Sequence, residues 1–276
     1  MGEGLTNKEF LFNYKFNLHK SSIPIGIDDM DLHRLSAVYA VPYGQLQATQ
    51  AGFDDHNRQY AQKLLAGASR EELEHLRGLR IAFLGDSITS DRKSYFNILR
   101  TALREHVDFA DLSVSGFRVV DLFSPAIPAV CAFRPNIAHI MIGSNDIKRS
   151  ADHFDHPHLS LSEYRRTLRY IIKVIMERGT DVLISTIPPL CIAKSTPAFA
   201  ADNVVFHEED RRACNDAIRA LADEEGCFLN DMEALYAQYP TDALTEDDGL
   251  HLNANGQFLL AQAIFKRLAS IAAKRT

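Results

Sequence analysis

Five short, largely apolar runs punctuate the sequence from residue 81 onward: IAFL at 81–84, VDFADLSV at 107–114, IAHIMI at 137–142, DVLISTI at 181–187 and CFL at 227–229. Between them, apolar residues return every three or four positions, the spacing of a helix with one buried face. A run of four apolar residues suits a strand covered on both sides, and strands alternating with helices build a parallel sheet clothed by those helices. An α/β domain is therefore expected from about Leu79 to the C-terminus. The loops leaving the C-terminal ends of its strands share one edge, where open sheets of this kind carry their sites.

Two helices announce their starts. Ser160 followed by Glu163 spells a capping box, with Leu159 and Tyr164 placed as a hydrophobic staple and Tyr164, Leu168, Ile171 and Ile175 as the buried stripe. Asn253 is placed to cap the last helix, where Leu260, Ile264, Leu268 and Ile271 recur at helical spacing. The first 78 residues lack this rhythm and read as a largely helical extension. One of its helices carries Phe53, Tyr60 and Leu64 on one face, and another starts at Ser69 with Glu72 completing a capping box. The sequence leaves open whether this segment is a lid, a contact between copies of the chain in a homo-oligomer, or packing on the main domain.

With 276 residues and 46% hydrophobic side chains, the chain can bury a proper core. A net charge of −6 without a Lys/Arg cluster argues against nucleic acid as partner. No apolar run approaches the roughly 20 residues a membrane span needs. The opening MGEGLT matches a loose myristoylation pattern at Gly2, but no polybasic second signal follows. Four scattered cysteines without a CxxC pair, and no signal segment, lead to the expectation of reduced thiols in a cytoplasmic protein.

The run IAFLGDSITS raises the functional question, because the strand stops on Ser87, which is either a helix cap or a nucleophile. A nucleophilic serine needs a base, an acid to orient the base and donors for an oxyanion. Four segments at strand ends or before a helix supply them: GDSIT at 85–89, VSG at 114–116, GSND at 143–146 and DGLH at 248–251. His251 follows Asp248 closely enough for the carboxylate to hold one imidazole nitrogen while the other faces Ser87. The Ser87 N–H, the Gly116 N–H and the Asn145 amide are the candidate oxyanion donors. Taken singly, Gly116 is equally a turn glycine, and Asn145 with Asp146 equally a helix cap. Asp86 is expected to hold the turn by local hydrogen bonds.

The α/β-hydrolase motif GxSxG fails, since Thr89 stands where its second glycine belongs, and no P-loop or GxGxxG follows a strand. DHFDHPH at 152–158 has a metal-like composition, but Pro157 breaks helical spacing, and a solvated loop lining the substrate mouth is the expectation. Lys148 and Arg149 nearby are candidate anchors for an anionic group. The stretch 188–207 reads as a long loop that shapes a substrate pocket or packs on the extension.

Taken together, GDSIT, the glycine of VSG, the asparagine of GSND and the acid and base of DGLH resemble the four blocks of the SGNH hydrolases, also called the GDSL esterase/lipase family. The resemblance implies a three-layer α/β/α sandwich with a mostly parallel five-stranded sheet, and hydrolysis of carboxylic esters through an acyl-enzyme at Ser87 without a metal or cofactor. A domain of residues 79–276 would carry it, preceded by the extension. The expected substrate is a small soluble ester with a short acyl group such as acetyl, bound with help from Asp86, Ile147, Lys148 and Pro189. Thioesterase, lysophospholipase and acyltransferase activities use the same residues, and a scaffold with incidental chemistry is a different class again.

Overall fold

The structure, a computed structural model, describes residues 31–124 and 126–275. The MGEGLT segment and the first part of the N-terminal extension lie outside the described residues. In chain order the strands are β1 (Leu79–Gly85), β2 (Val107–Asp111), β3 (Ile137–Met141), β4 (Lys148–Ser150), β5 (Asp181–Ser185), β6 (Val204–Phe206) and β7 (Phe228–Asn230). The α-helices are α1 (Leu32–Tyr39), α2 (Tyr43–Ala66), α3 (Arg70–Leu76), α4 (Ser87–Ser90), α5 (Tyr95–Leu103), α6 (Ala126–Phe133), α7 (Leu161–Met176), α8 (Ile192–Phe199), α9 (Glu208–Glu225), α10 (Met232–Tyr236) and α11 (Ala254–Ala273).

The expected parallel sheet is present. Its five strands run in the order β2-β1-β3-β5-β7, and every neighbouring pair is parallel. Side chains alternate across it, as a pleated strand requires. Ile81 and Phe83 of β1 pack with α5 and α11 on one side, while Ala82 and Leu84 pack with α6, α7 and α9 on the other. The result is the three-layer α/β/α arrangement. The stripe Leu260, Ile264, Leu268 and Ile271 is at most 1% exposed. At about 1.5–3 kcal/mol for each such side chain withdrawn from water, it fixes α11 firmly on the sheet.

His139 interrupts the third apolar run yet is wholly buried. Its Nδ1 meets the Tyr95 hydroxyl at 3.2 Å and its Nε2 the Ser185 hydroxyl at 2.8 Å, so both ring nitrogens are satisfied. Burial pushes its pKa down to about 3, which keeps the imidazole neutral in the core.

Two expectations need correction. Residues 188–207 are not a long loop: they contain α8, a 3-10 turn at Ala200–Asp202 and β6, which pairs antiparallel with β4. Ser160 does cap α7, accepting from the Glu163 N–H at 3.2 Å, but the Glu163 carboxylate turns to Arg166 rather than back to the cap, so the box is half made. The Ser69–Glu72 box is complete.

The extension is joined to the main core. Leu64 of α2 and Leu76 of α3 belong to the same buried cluster as β1, α5 and α11, while Leu35, Tyr39, Val41, Leu46 and Phe53 form a small cluster of their own. From α2, the Asn57 Nδ2 donates to the Arg92 carbonyl at 2.8 Å, and the Gln50 Oε1 accepts from Arg92 Nη1 at 2.9 Å. Among the described residues no helix is long and apolar enough to cross a membrane. The four cysteines are unpaired.

Candidate active site

β1 ends at Gly85, where glycine is required because a Cβ would collide with the Thr89 hydroxyl and the Met141 carbonyl. The chain can therefore turn at once into α4. Asp86, not Ser87, is the cap, accepting from the Ile88 N–H at 3.0 Å. Ser87 is the first helical residue, so its N–H has no acceptor within the helix.

His251 arrives from the other end of the chain. Its Nε2 lies 2.8 Å from Ser87 Oγ, and its Nδ1 lies 2.5 Å from Asp248 Oδ2. The other oxygen, Asp248 Oδ1, accepts the Leu250 and His251 N–H groups at 2.9 Å each. Burial raises the Asp248 pKa, but the charge of His251 and these hydrogen bonds outweigh it and bring the group down to about 2. For His251, burial works downward and the Asp248 carboxylate upward, with a net rise above 6.5. An ionised carboxylate only accepts, so Nδ1 carries the proton and Nε2 is left to accept from the Ser87 hydroxyl. The loop is held rigidly: Glu246 N–H donates to the His251 carbonyl at 2.8 Å, and Cys191 N–H to the Gly249 carbonyl at 2.8 Å.

The second strand ends at Asp111, but its ladder continues. Leu112 N–H donates to the Phe83 carbonyl at 2.8 Å and Val114 N–H to the Gly85 carbonyl at 3.1 Å, which carries VSG alongside the turn that bears Ser87. Gly116 there has φ +83°, a conformation other residues adopt only with strain. Its N–H, like that of Ser87, makes no hydrogen bond to protein among the described residues. From the GSND turn, Asn145 Nδ2 donates to the Phe117 carbonyl at 3.0 Å, which uses one of its two amide hydrogens. Ser87, His251, Asp248, Gly116 and Asn145 thus gather at the C-terminal edge of the sheet.

The other expected residues divide. Asp86 is 1% exposed, and its carboxylate caps α4 by accepting from the Ile88 N–H. Burial holds its carboxyl above the ordinary range, against its bond from Ile88 and the fields of His251 and Lys148. Ile147 is buried in the core on the α7 side, Lys148 stands on β4, and Pro189 is half-buried. Arg149 is engaged by Asp210, at 2.6 and 3.1 Å, and by Asp155 at 3.3 Å, so it does not serve as the free anchor expected of it. In the 152–158 loop, the His153 ring packs at a tilt against Phe154 with ring centres 3.9 Å apart. No three potential metal ligands gather among the described residues.

The contacts of two neighbours of the site are not legible in the sequence. Asp91, buried just past α4, adds to the field that raises His251. Asp146 accepts the Val119 N–H at 2.9 Å. Both depend on contacts between distant segments, which spacing does not reveal.

The sequence profile of the GDSL-like Lipase/Acylhydrolase family matches residues 83–258. No curated protein matches the chain. Among solved structures, a lipase/acylhydrolase from Enterococcus faecalis is 18% identical over 70% of this chain and 96% of its own, with a TM-score of 0.58. A catalytic mutant of Axe2, an acetylxylan esterase from Geobacillus stearothermophilus, is 20% identical over 70% of this chain and 94% of its own, at 0.54. LAE5, an alpha/beta hydrolase enzyme from the metagenome of Lake Arreo, Spain, is 21% identical over 71% and 97%, also at 0.54. At such identities the likeness is one of fold. The family profile spans well over half of the sequence and takes in GDSIT, VSG, GSND and DGLH together, and the chain belongs to the GDSL-like lipase/acylhydrolase family.

Proposed function

We propose that the protein is a serine hydrolase that cleaves the carboxylic O-ester of a small soluble substrate through an acyl-enzyme on Ser87. The observation that carries this reading is the hydrogen-bonded chain Asp248–His251–Ser87, at 2.5 and 2.8 Å, set beside the unused N–H groups of Ser87 and Gly116. His251 Nε2 takes the Ser87 proton as Oγ attacks the ester carbonyl, and Asp248 stabilises the imidazolium. The tetrahedral oxyanion is met by the Ser87 and Gly116 N–H groups and the second amide hydrogen of Asn145. Its collapse breaks the bond to the alcohol, which leaves with the proton from His251. A water molecule, deprotonated by the same imidazole, then attacks the acyl-enzyme and releases the acid and free Ser87.

The acyl group assigned is short, acetyl first, in keeping with a fold shared with an acetylxylan esterase. Four unpaired thiols fit a reducing compartment such as the cytoplasm. Hydrolysis of nitrophenyl esters from acetyl to long-chain acyl, alongside Ser87→Ala, tests the reading. Acetyl cleavage that fades with chain length and vanishes in the variant is expected. Undiminished activity in Ser87→Ala would overturn the mechanism.

A further inference from the structure

Asn145 and Asp146 reach from one turn to the same stretch of backbone. Asn145 Nδ2 donates to the Phe117 carbonyl at 3.0 Å, and the Val119 N–H donates to Asp146 Oδ1 at 2.9 Å. Phe117 directly follows Gly116, so the two bonds clamp the turn that carries one oxyanion donor against the turn that carries another. Val119 and Asp146 are both buried, at 0% and 3% exposure, so water does not compete for this contact. Asp146 Oδ2 is buried with no hydrogen-bond partner among the described residues. An orphaned oxygen of that kind is tolerable on a neutral carboxylic acid and costly on a carboxylate.

We propose that Asp146 is a positioning residue that works in its neutral form: Oδ1 holds the Val119 N–H and so aligns Gly116 with Asn145, while ionisation places an unanswered charge beside the oxyanion donors. The inference rests on the hydrolase reading above. The titratable and charged groups around Asp146 are Asp86 at the end of β1, Arg118 and Asp121 in the turn it holds, Tyr164 of α7 and Cys214 of α9. Asp210 lines the same small cavity but is answered by Arg149. Burial pushes Asp146 up to about 7; the Val119 bond and Arg118 work downward, Asp86 and Asp121 upward. As pH rises through this value, a negative charge appears one residue from Asn145, where the reaction must itself build negative charge. Turnover should therefore fall.

Asp146→Asn keeps the shape and the acceptor but cannot ionise; Asp146→Leu keeps the bulk and loses both. In wild type, kcat/KM for acetyl ester is expected to decline on the alkaline side with a midpoint near Asp146's value of about 7. In Asp146→Asn that limb should move up by more than about one pH unit. Asp146→Leu should lose about 10- to 100-fold in kcat with KM within about threefold, because the Val119 N–H is left unpaired and the donors drift. Coincident alkaline limbs in wild type and Asp146→Asn would overturn the proposal, as would an unaltered kcat in Asp146→Leu. A readout independent of turnover separates this failure from that of the hydrolase reading. The Val119 amide resonance should titrate with the same midpoint in wild type and stay flat in Asp146→Asn, and a flat wild-type resonance overturns the role of Asp146 alone. Activity that survives in Ser87→Ala overturns the hydrolase reading and this role with it.

Discussion

Asp248 and Asp146 are the same residue type, both largely withdrawn from water at one edge of the sheet, and they are driven in opposite directions. Asp248 faces an imidazole and two backbone N–H groups, and settles at about 2. Asp146 has one N–H on one oxygen and, among the described residues, nothing on the other, and settles at about 7. Burial raises both; what differs is how many partners reward the charge. Near neutral pH one acid is a fixed anion beside an imidazole, and the other is poised between forms. A pair of like groups split by their surroundings is a common way to assign different duties within one site.

The comparison breaks most visibly at the anionic side. Ser87→Ala or His251→Ala should cost about 10⁴-fold or more in kcat, and Asp248→Asn a similar amount, because an amide no longer fixes the proton on Nδ1. Steady-state kinetics with acetyl ester check this. Asn145→Ala should cost about 10²- to 10³-fold, the loss typical of one oxyanion donor. If it instead equals the Asp248→Asn loss, the two sides of the site are not separable.

The acid limb of the pH profile sharpens the contrast. His251 must be neutral to accept a proton, and its pKa lies above 6.5, so activity should fall as pH drops through a value above 6.5. Stability follows the same pair. The lowered Asp248 contributes above its unfolded value of 3.8 and loses that contribution as pH falls toward about 2. The raised His251 contributes below its unfolded value of 6.5 and loses that contribution as pH climbs through its folded pKa. The gap in melting temperature between wild type and Asp248→Asn should therefore be widest from about pH 4 to about pH 6.5 and narrow on either side. The smallest effect belongs to Asp86. Its replacement by alanine removes the cap of α4 and should cost about 0.5–2 kcal/mol in denaturant unfolding.

The parts of this molecule written in local pattern are legible in the sequence. Apolar runs mark the five strands of the main sheet, because a strand covered on both faces is mostly apolar and admits a polar side chain such as His139 only where its hydrogen bonds are met. The caps Ser69, Ser160 and Asn253 are legible because a short polar side chain before a helical stripe has few other uses. What local pattern does not encode is less visible. β4 and β6 are three residues each and pair across more than fifty positions, and α8 carries Pro197 inside it, which reads as a break. Glu163 had two acceptable partners, the cap and Arg166, and only the fold decides between them. The serine, histidine and aspartate stand out because their types and order are unusual together. Asp146 does not, because its partner Val119 is an ordinary residue offering only backbone.

The grip of α2 on Arg92 ties a segment far up the chain to the surroundings of the serine-bearing turn. The stretch it shares with its family begins at residue 83, yet Gln50 and Asn57, both upstream, hold the backbone and guanidinium of a residue just past the serine-bearing turn. The shared stretch by itself contains neither Gln50 nor Asn57 and so lacks this brace. A substitution at Gln50 or Asn57 would loosen the hold on Arg92, five residues past Ser87, without altering any residue of the site itself.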